Sequence, residues 1–352
     1  MMTLEETLQQ IRPLDRSSED AAQRRLDSLT KPRGSLGRLE ELARRIAVIQ
    51  EKVPPRLGQK LLFVFAADHG IAQEGVSAYP SEVTAQMTWN FVKGGGAINV
   101  LARHYGVDIE VVDVGIDYDF AQVRGLRNCK IRRGTASFAR GPAMTREEAH
   151  RSVNLGIELA RAAAAEKIFL LGAGDMGIGN TSSAAAIVCA LTGLPPGDAV
   201  GRGTGIDDAT LARKITAIET GLQINRPDAN DPLDILAKVG GLEIGAMTGI
   251  MLGAAAFRIP MVLDGFISSA AALLAQRLTP HVREILFASH LSAEKGHGLV
   301  LNALQLTPAF DLQMRLGEGT GACLLMGLIE ASVRIMNEMA TFESARVKEN
   351  FS

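Results

Sequence analysis

The sequence contains little cysteine, and its three cysteines are not arranged to bind a metal or to build a disulfide framework. Cys129, Cys189 and Cys323 lie far apart among 352 residues, and no two of them have CxxC spacing. A disulfide-rich secreted domain and a cysteine zinc site are therefore disfavoured. We expect three free thiols in a reducing compartment.

The chain also lacks a charge excess of either sign. Its 37 Lys and Arg residues nearly balance 39 Asp and Glu residues, for a formal net charge of -2. A protein that binds nucleic acid through general phosphate attraction needs a basic surface, so the charge balance argues against this class. A local basic pocket for a single phosphate remains compatible with the balance.

Membrane and export signals are missing from the pattern as well. Residues 1–20 are charged and contain no apolar core of the secretory type. The most apolar run, Gly240–Phe257, contains Glu243 and is rich in Gly and Ala rather than Leu. This composition predicts a closely packed, buried helix instead of a membrane span. We expect a soluble, cytoplasmic protein.

Five short apolar runs end in polar residues and predict strands. They begin at Leu61, Ile109, Ile168, Met261 and Ile285. Continuous Val, Ile, Leu and Phe without alternation is typical of strands that are buried on both faces of a parallel sheet. Helical patterns lie between the runs; one opens with the capping-box pair Thr145 and Glu148, and another follows Asp207. This alternation predicts a doubly wound α/β domain.

The two ends of the chain show helical patterns without strands. Residues 18–29 and 322–339 have this pattern. We expect a small helical subdomain made from residues 1–29 and 322–352, packed on a large α/β catalytic domain of residues 30–321.

Polar residues follow the predicted strands. They are Asp68, His69, Asp113, Asp175, Asp264, Ser289 and His290. Ligands bind outside the carboxyl ends of the strands in open α/β sheets, so these residues predict a cleft at one sheet edge. His69 has no partner at metal-binding spacing, which favours a hydrogen-bonded cleft histidine over a metal ligand.

Two glycine loops are candidates for phosphate binding. The segment GAGDMGIGNTSSAAA from Gly172 follows a predicted strand and opens an Ala-rich helix, where Gly177 and Gly179 would let backbone N–H groups approach an anion. It lacks the P-loop pattern, so ATP is not implied. The alternative is a turn that packs the helix on the sheet. A second loop, VGRGTGIDD, precedes Lys214, which would complete the pocket or lie on the surface.

Glu318 stands between glycines in the segment RLGEGTGA. A carboxylate on a tight glycine turn can reach into a pocket as a general base. It can equally be an acid at a helix N-terminus, where the helix dipole favours it. Tyr79, Met87, Trp89 and Phe91 similarly predict either a slot for a flat aromatic ligand or ordinary core packing.

Ten segments in order resemble the nicotinate-nucleotide–dimethylbenzimidazole phosphoribosyltransferase family over nearly the whole chain. They are KPRGSLGRLE from Lys31, ADHGIAQEGVSAYP from Ala67, VTAQM from Val83, GGGAINVLAR from Gly94, GDMGIGNTSSAAA from Gly174, GRGTG from Gly201, GGLEIGAMTG from Gly240, LDGFISSAAAL from Leu263, SHLSAEKGH from Ser289 and MRLGEGTGA from Met314.

The resemblance implies a Rossmann-like parallel sheet, with a small domain made from both termini. It also implies a homodimer whose active sites borrow residues across the interface. No cofactor and no metal are implied. The expected reaction moves the phosphoribosyl group of nicotinate mononucleotide onto 5,6-dimethylbenzimidazole.

The resemblance also assigns roles to residues. Glu318 is implied to be the general base. The nucleotide-phosphate site is implied at Gly177, Gly179, Asn180, Thr181, Gly203, Thr204, Gly205, Lys214, Asp175, Asp264 and Ser292. The aromatic base pocket is implied at Ser77, Tyr79, Gln86, Met87 and Leu316. One position departs from the family, which has Glu where this chain has Asp175; the shorter acid withdraws the charge by about one methylene.

Three other interpretations stay open. A phosphoribosyltransferase that uses a pyrophosphate donor should have a Thr-Gly loop after VVDVGIDYDF, and none follows. A nucleotide-binding module without turnover would leave Glu318 unexplained. A dehydrogenase should have GxGxxG in its first strand-helix unit, whereas the glycine loop here comes much later.

Overall fold

One parallel sheet organises the molecule. The computed structural model describes residues 2–203 and 205–348, so Thr204 and the outermost residues of the predicted subdomain (1 and 349–352) lie outside the described residues. Six strands pair in the order β3-β2-β1-β4-β5-β6, all parallel. The strands are β1 Lys60–Ala67, β2 Val107–Gly115, β3 Leu126–Asn128, β4 Leu170–Met176, β5 Met261–Leu263 and β6 Leu286–Ala288. This order confirms the Rossmann-like doubly wound fold.

Helices cover both faces of the sheet. Those within the described residues are α1 Leu4–Gln10, α2 Glu19–Asp27, α3 Arg38–Ile49, α4 Glu82–Val92, α5 Ala97–Tyr105, α6 Arg146–Ala165, α7 Asn180–Thr192, α8 Pro196–Ala199, α9 Asp208–Asn225, α10 Pro232–Val239, α11 Leu242–Ala256, α12 Phe266–Leu278, α13 His297–Leu304, α14 Thr320–Glu338 and α15 Phe342–Ala345. Short 3₁₀ turns at Gly70–Glu74 and Pro280–Ile285 complete the set.

The five apolar runs all form strands, as predicted. In β1 and β4 nearly every side chain is buried, which explains why those segments show no polar alternation. The edge strand β3 was not predicted. It has only three residues, and two of them are exposed, so no apolar run marks it.

The predicted helix starts are confirmed. Thr145 caps α6 through the Glu148 N–H, and the Glu148 side chain bonds back to the Thr145 N–H. Asp207 caps α9 by accepting from the Thr210 N–H.

The glycine-rich run forms α11, which is buried along its length and packs closely on α6. A Cβ built on Gly249 would lie 1.9 Å from the Val153 carbonyl oxygen, so only glycine allows this approach. Among the described residues, no helix has the length and apolar character that a membrane crossing requires.

The helices at the two ends of the chain contact each other. Arg25 of α2 donates to the carbonyl oxygens of Met336 and Met339. The first half of α14, in contrast, belongs to the main core beneath the sheet. The predicted division at residues 29/30 and 321/322 stays a prediction. Side chains of α2, the segment just after it, α3 and the end of α14 form a small buried cluster of Ala22, Leu26, Leu29, Ala43, Ala47 and Met336.

Candidate active site

A cavity of about 600 Å³ opens at the carboxyl ends of β4, β5 and β6. This is the edge where parallel α/β sheets bind ligands. Its lining comes from α4 and the residues before it, the loop after β4 with the start of α7, the loop before α9, the start of α12, the loop after β6 and the segment before α14. The lining residues are Tyr79, Val83, Met87, Asp175, Met176, Gly177, Ile178, Asn180, Thr181, Gly203, Gly265, Phe266, Ile267, His290, Ser292, Glu294, Gln313, Arg315, Leu316, Gly317 and Glu318.

Glu318 lies on a turn of three consecutive left-handed residues. Its φ is 64°, and Gly317 and Gly319 have φ of 83° and 87°. A non-glycine residue in this region is uncommon and is held there by surrounding structure, often at functional sites. Glu318 is 6% exposed, and its Oε2 has no hydrogen-bond partner among the described residues.

Asp264, which follows β5, holds this turn from behind. Its Oδ2 accepts from the Gly319 N–H at 2.9 Å, and its Oδ1 accepts from the N–H groups of Gly321 at 2.7 Å and Ala322 at 3.1 Å. These N–H groups belong to the start of α14, where an acceptor is required. Asp264 is buried and does not line the cavity. Its contacts are with the turn that carries Glu318.

The carboxyls near the turn resist ionisation. Burial raises the pKa of Glu318 to about 7, the Asp264 charge adds to the effect, and a backbone hydrogen bond from Ile98 opposes it. Burial also raises the pKa of Asp175 well above its usual value, with further contributions from Asp264 and Glu243. A hydrogen bond from the Asn180 amide to Asp175 Oδ2, 2.8 Å long, opposes that rise. Glu318 can thus exchange a proton near neutral pH.

At the opposite end, Thr181, Gly203 and Lys214 form a group that we call the lysine corner. Lys214 Nζ donates to Thr181 Oγ1 at 2.7 Å, and Thr181 and Gly203 line the cavity in front of it. Lys214 is 2% exposed, so the interpretation as a surface lysine is wrong. Burial lowers its pKa to about 8, and Glu294 opposes that change. A buried cation beside the N-terminus of α7 is suited to an anion.

A third part of the lining, Tyr79, Val83, Met87 and Leu316, forms an apolar wall. Val83 and Met87 are one turn apart on α4. Tyr79 and Leu316 are 50% and 56% exposed, so this side of the cavity is open. Trp89 and Phe91, two of the candidates for an aromatic slot, do not line the cavity. Phe91 is buried in the main core.

Most of the predicted site residues line the cavity. Asp264 and Lys214 stand directly behind it, and Gly205 lies two residues beyond Gly203 with a φ of 105°. Gln86 is exposed on α4. The described residues among the predictions that do not line the cavity are Ser77, Gln86, Gly179, Gly205, Lys214 and Asp264.

Two of these residues support the lining from outside. Ser77 Oγ accepts a hydrogen bond from the Tyr79 N–H at 3.2 Å, and so supports the apolar wall. Gly179 precedes α7 with a φ of 96°, and a Cβ built on it would lie 3.2 Å from Ile71 Cγ2. Gly179 therefore faces the protein interior and contributes its backbone to the start of the helix.

The histidines serve as hydrogen-bonded supports in this region. His290 lines the cavity, 3.0 Å from Ser289 Oγ through Nδ1, and stacks on Phe310. His297 accepts from the Ser292 N–H, and burial lowers its pKa to about 3. His69 is hydrogen-bonded as predicted, but it is buried instead of facing the cleft. Among the described residues no three His, Cys, Asp or Glu side chains are grouped to hold a metal ion.

Comparison with known proteins decides the family. A family model described as phosphoribosyltransferase matches residues 11–347. The nicotinate-nucleotide–dimethylbenzimidazole phosphoribosyltransferase of Geobacter sulfurreducens is 56% identical over 349 residues, which are 99% of each chain. The crystal structure of CobT from Thermus thermophilus superposes with a TM-score of 0.90 at 50% identity, covering 94% of this chain and 99% of that one.

The chain belongs to this phosphoribosyltransferase family.

Membership in a phosphoribosyltransferase family makes the protein an enzyme, and it removes the support for a dehydrogenase or a binding module without turnover. The cavity also contains two residues that were not among the predicted site residues, Arg315 and Glu294. Burial raises the pKa of Glu294, and the charges of Lys214 and Arg315 oppose the rise. Both residues stand in segments that carry the resemblance, MRLGEGTGA and SHLSAEKGH. Their place in these two segments was the signal in the sequence that could have identified Arg315 and Glu294 as site residues.

Proposed function

We propose that this enzyme transfers the 5-phosphoribosyl group of nicotinate mononucleotide to 5,6-dimethylbenzimidazole, with inversion at C1′. The products are α-ribazole 5′-phosphate and nicotinate, and the α-ribazole nucleotide supplies the lower ligand of cobalamin. The observation that carries the proposal is Glu318, a carboxyl with one unpartnered oxygen on a glycine turn, whose pKa burial raises to about 7.

The acceptor needs such a base. A benzimidazole attacks C1′ through one ring nitrogen and must lose the proton from the other. A carboxylate near the ring plane accepts that proton, and its pKa near neutrality suits both uptake and release. Glu318 lies beside Leu316 of the apolar wall, where a flat aromatic ring would be sandwiched against Met87 and Tyr79. Ser77 and Gln86 complete the proposed base pocket.

The leaving group of the donor needs no activation by the enzyme. Nicotinate leaves from a glycosyl pyridinium, so breaking the glycosidic bond returns the electron pair to the ring nitrogen and neutralises its positive charge. The leaving group therefore requires neither a general acid nor a metal ion. Most of the rate then comes from holding two flat rings in line around C1′ while binding energy from the distant phosphate is used for positioning.

The lysine corner is the proposed phosphate site. Asp175 and Ser292 would face the ribose, and Asp264 acts through the turn that carries Glu318 as a positioning residue in this scheme. The N-terminus of α7 would contact the phosphate directly, and the Lys214 ammonium, which holds the Thr181 hydroxyl, would supply positive charge directly behind it. Around them the proposed site contains Gly177, Gly179, Asn180 and Thr181 at the helix start and the loop of Gly203, Thr204 and Gly205.

The direct test mixes purified protein with nicotinate mononucleotide and 5,6-dimethylbenzimidazole, with and without EDTA. We expect nicotinate release and α-ribazole 5′-phosphate by mass spectrometry, in equal amounts and at equal rates in both samples. Omission of the acceptor should abolish product. Nicotinate release with no ribazole product, or no release at all, would contradict the proposed function.

We also propose a cytoplasmic homodimer in which residues of the partner chain complete each cavity. Residues 1–29 and 322–352 are proposed as a small helical subdomain, supported by the cluster that joins α2 to the end of α14. Fractionation of cells that express the protein tests its location: recovery with the membranes would contradict it.

A further inference from the structure

Three of the ten segments that carry the resemblance meet at a place that the reaction does not use. The segments around Asp68-His69, Gly177–Ser183 and Gly241–Glu243 come from the end of β1, the start of α7 and the start of α11. They converge on the imidazole of His69, which lies beneath the loop of Gly177, Ile178 and Gly179 and outside the cavity.

Both ring nitrogens of His69 are hydrogen-bonded. Nδ1 is 3.0 Å from Ser183 Oγ, and Nε2 is 2.7 Å from Glu243 Oε1. All three residues are at most 2% exposed. The ring cannot turn without breaking both bonds, so it is a fixed link between the first turns of α7 and α11.

The glycine loop rests directly on this ring. A Cβ built on Gly177 would lie 3.2 Å from His69 Cδ2 and 2.4 Å from the Ala67 carbonyl oxygen, so the backbone at Gly177 lies against both. A Cβ on Gly241 would lie 2.3 Å from His69 Cε1, which closes the space on the other side. The position of the ring therefore determines the position of the Gly177 backbone, which lines the cavity.

This buried polar arrangement costs more stability than apolar packing in the same space would. Glu243 Oε2 is buried without a hydrogen-bond partner among the described residues, and an imidazole and a carboxyl occupy space that apolar side chains could fill. Buried polar groups that are partly unsatisfied cost stability, and proteins retain them chiefly where function needs a fixed geometry. Here the geometry at stake is that of the loop and of Thr181, whose hydroxyl holds Lys214.

We infer that His69, held between Ser183 and Glu243, is a positioning residue that sets the glycine loop for the 5′-phosphate of the donor. The inference rests on the proposed function, because it takes the lysine corner as the phosphate site. It predicts a selective defect: loss of His69 impairs the use of the phosphate and leaves the use of the acceptor ring largely intact.

The test compares kcat/KM for nicotinate mononucleotide with kcat/KM for nicotinate riboside, which lacks only the phosphate. The ratio for the wild-type enzyme measures how much the phosphate contributes. We expect His69→Ala to reduce that ratio about 10- to 100-fold, the scale of a displaced binding group. The KM for 5,6-dimethylbenzimidazole should change less than about threefold, the range we allow for a change confined to the phosphate end.

Two further variants keep the result interpretable if His69→Ala folds poorly. His69→Gln retains a donor within reach of Glu243 and should restore part of the ratio, whereas Ser183→Ala removes one of the two bonds and should give a smaller loss. Thr248→Val is the matched control: Thr248 is buried on α11 with hydrogen bonds to the carbonyl oxygens of Ile244 and Ala271, away from the loop. It should lower stability without changing the ratio.

The outcomes separate the two proposals. If the wild-type enzyme uses both donors equally well, the phosphate site itself is wrong, and the inference about His69 falls with it. If the wild-type ratio is large and His69→Ala, His69→Gln and Ser183→Ala all retain it, the site stands and the role of His69 is refuted. Equal losses for both donors would also refute it, since they indicate general damage.

Discussion

At the scale of single residues, Glu318 combines two features that each reduce stability. The turn that presents it requires a left-handed backbone, and burial makes its ionised form costly. The turn fixes where the carboxyl points, and burial makes it a stronger base than an exposed glutamate would be. A site of this kind is where local rules are expected to be broken for the sake of function.

Glu318→Gln should separate binding from chemistry. The amide keeps the shape of the side chain but cannot accept the acceptor's proton. We expect kcat to fall about 10²- to 10⁴-fold, the usual contribution of a general base. Calorimetric affinities for both substrates should stay within a few-fold of wild type. Glu338→Gln, an exposed position at the end of α14, is the control and should leave kcat unchanged. Near-normal turnover of the Glu318 variant would refute its assignment.

The pKa of Glu318 predicts the pH dependence of the reaction. A general base must be ionised, so kcat/KM for nicotinate mononucleotide, which reports the enzyme before this donor binds, should fall about tenfold per pH unit below a midpoint near 7, and should level off above it. A bound pyridinium favours the ionised carboxylate, so the midpoint of kcat should lie at lower pH. Initial rates between pH 5 and 9 test both statements. A profile that is flat through this range would show that the base of the reaction ionises below pH 5, which would contradict the raised pKa of Glu318.

The same shift has a consequence for stability. A carboxyl whose folded-state pKa is raised to about 7 costs nothing below its unfolded value near 4.5, because both states are then protonated. Its cost grows as the pH rises between these values and is constant above about 7. Glu318→Gln should therefore melt at the wild-type temperature near pH 4.5 and above it at pH 8. Equal melting temperatures at pH 8 would show that the folded protein ionises this group freely.

At the scale of elements, the starts of α7 and α14 form the two ends of the cavity. Each follows a glycine with positive φ, and each is held from below by a distant side chain: His69 beneath the loop before α7 and Asp264 behind the first turn of α14. The sheet brings these two helix starts together, because α7 follows β4, Asp264 follows the neighbouring strand β5, and Asp264 holds the start of α14.

Gly319→Ala tests how far Glu318 depends on its element. A Cβ at Gly319 would lie 2.7 Å from Leu62 Cδ2, in addition to the left-handed strain of its φ of 87°. Gly193 at the end of α7 has a φ of 72° but open space around it, so Gly193→Ala measures the strain alone. We expect Gly193→Ala to lower the free energy of unfolding by about 1 kcal/mol and Gly319→Ala by about 2–4 kcal/mol. Only the Gly319 variant should lose activity. Equal effects in denaturant titrations would show that the turn tolerates a side chain.

Local signals in the sequence predicted most elements but few of the contacts between them. The apolar runs of β1 and β4, the capping pair of α6 and the glycine turn at Glu318 are each contained within a few residues. The hydrogen bond between His69 and Glu243 joins residues 174 apart, and the one between Asp264 and the Gly319 N–H joins residues 55 apart. No periodicity encodes such pairs, because they depend on how the sheet orders its strands. Strand β3 was not predicted for a different reason: it is too short and too exposed to form an apolar run.

At the scale of the whole molecule, the cavity is unevenly enclosed. The lysine corner and the Glu318 turn are buried, whereas Tyr79 and Leu316 at the mouth are 50% and 56% exposed. Leu312, next to Gln313 of the lining, is 60% exposed. Large apolar side chains grouped at the mouth of a cavity favour burial by another surface. A second copy of the chain, as in the proposed homodimer, would supply that surface.

Activity should therefore depend on protein concentration. We expect sedimentation velocity to show a dimer at micromolar concentration, and specific activity at saturating substrates to fall as dilution produces monomer, because the acceptor ring loses one wall of its pocket. Leu312→Asp should shift both transitions to higher protein concentration, while Ile224→Asp, a similarly exposed apolar position on α9, should shift neither. Carrier albumin controls for adsorption at low concentration. A monomer with the full kcat of the dimer would show that one chain encloses its own substrates, and the exposed mouth would then have to close by moving its own residues.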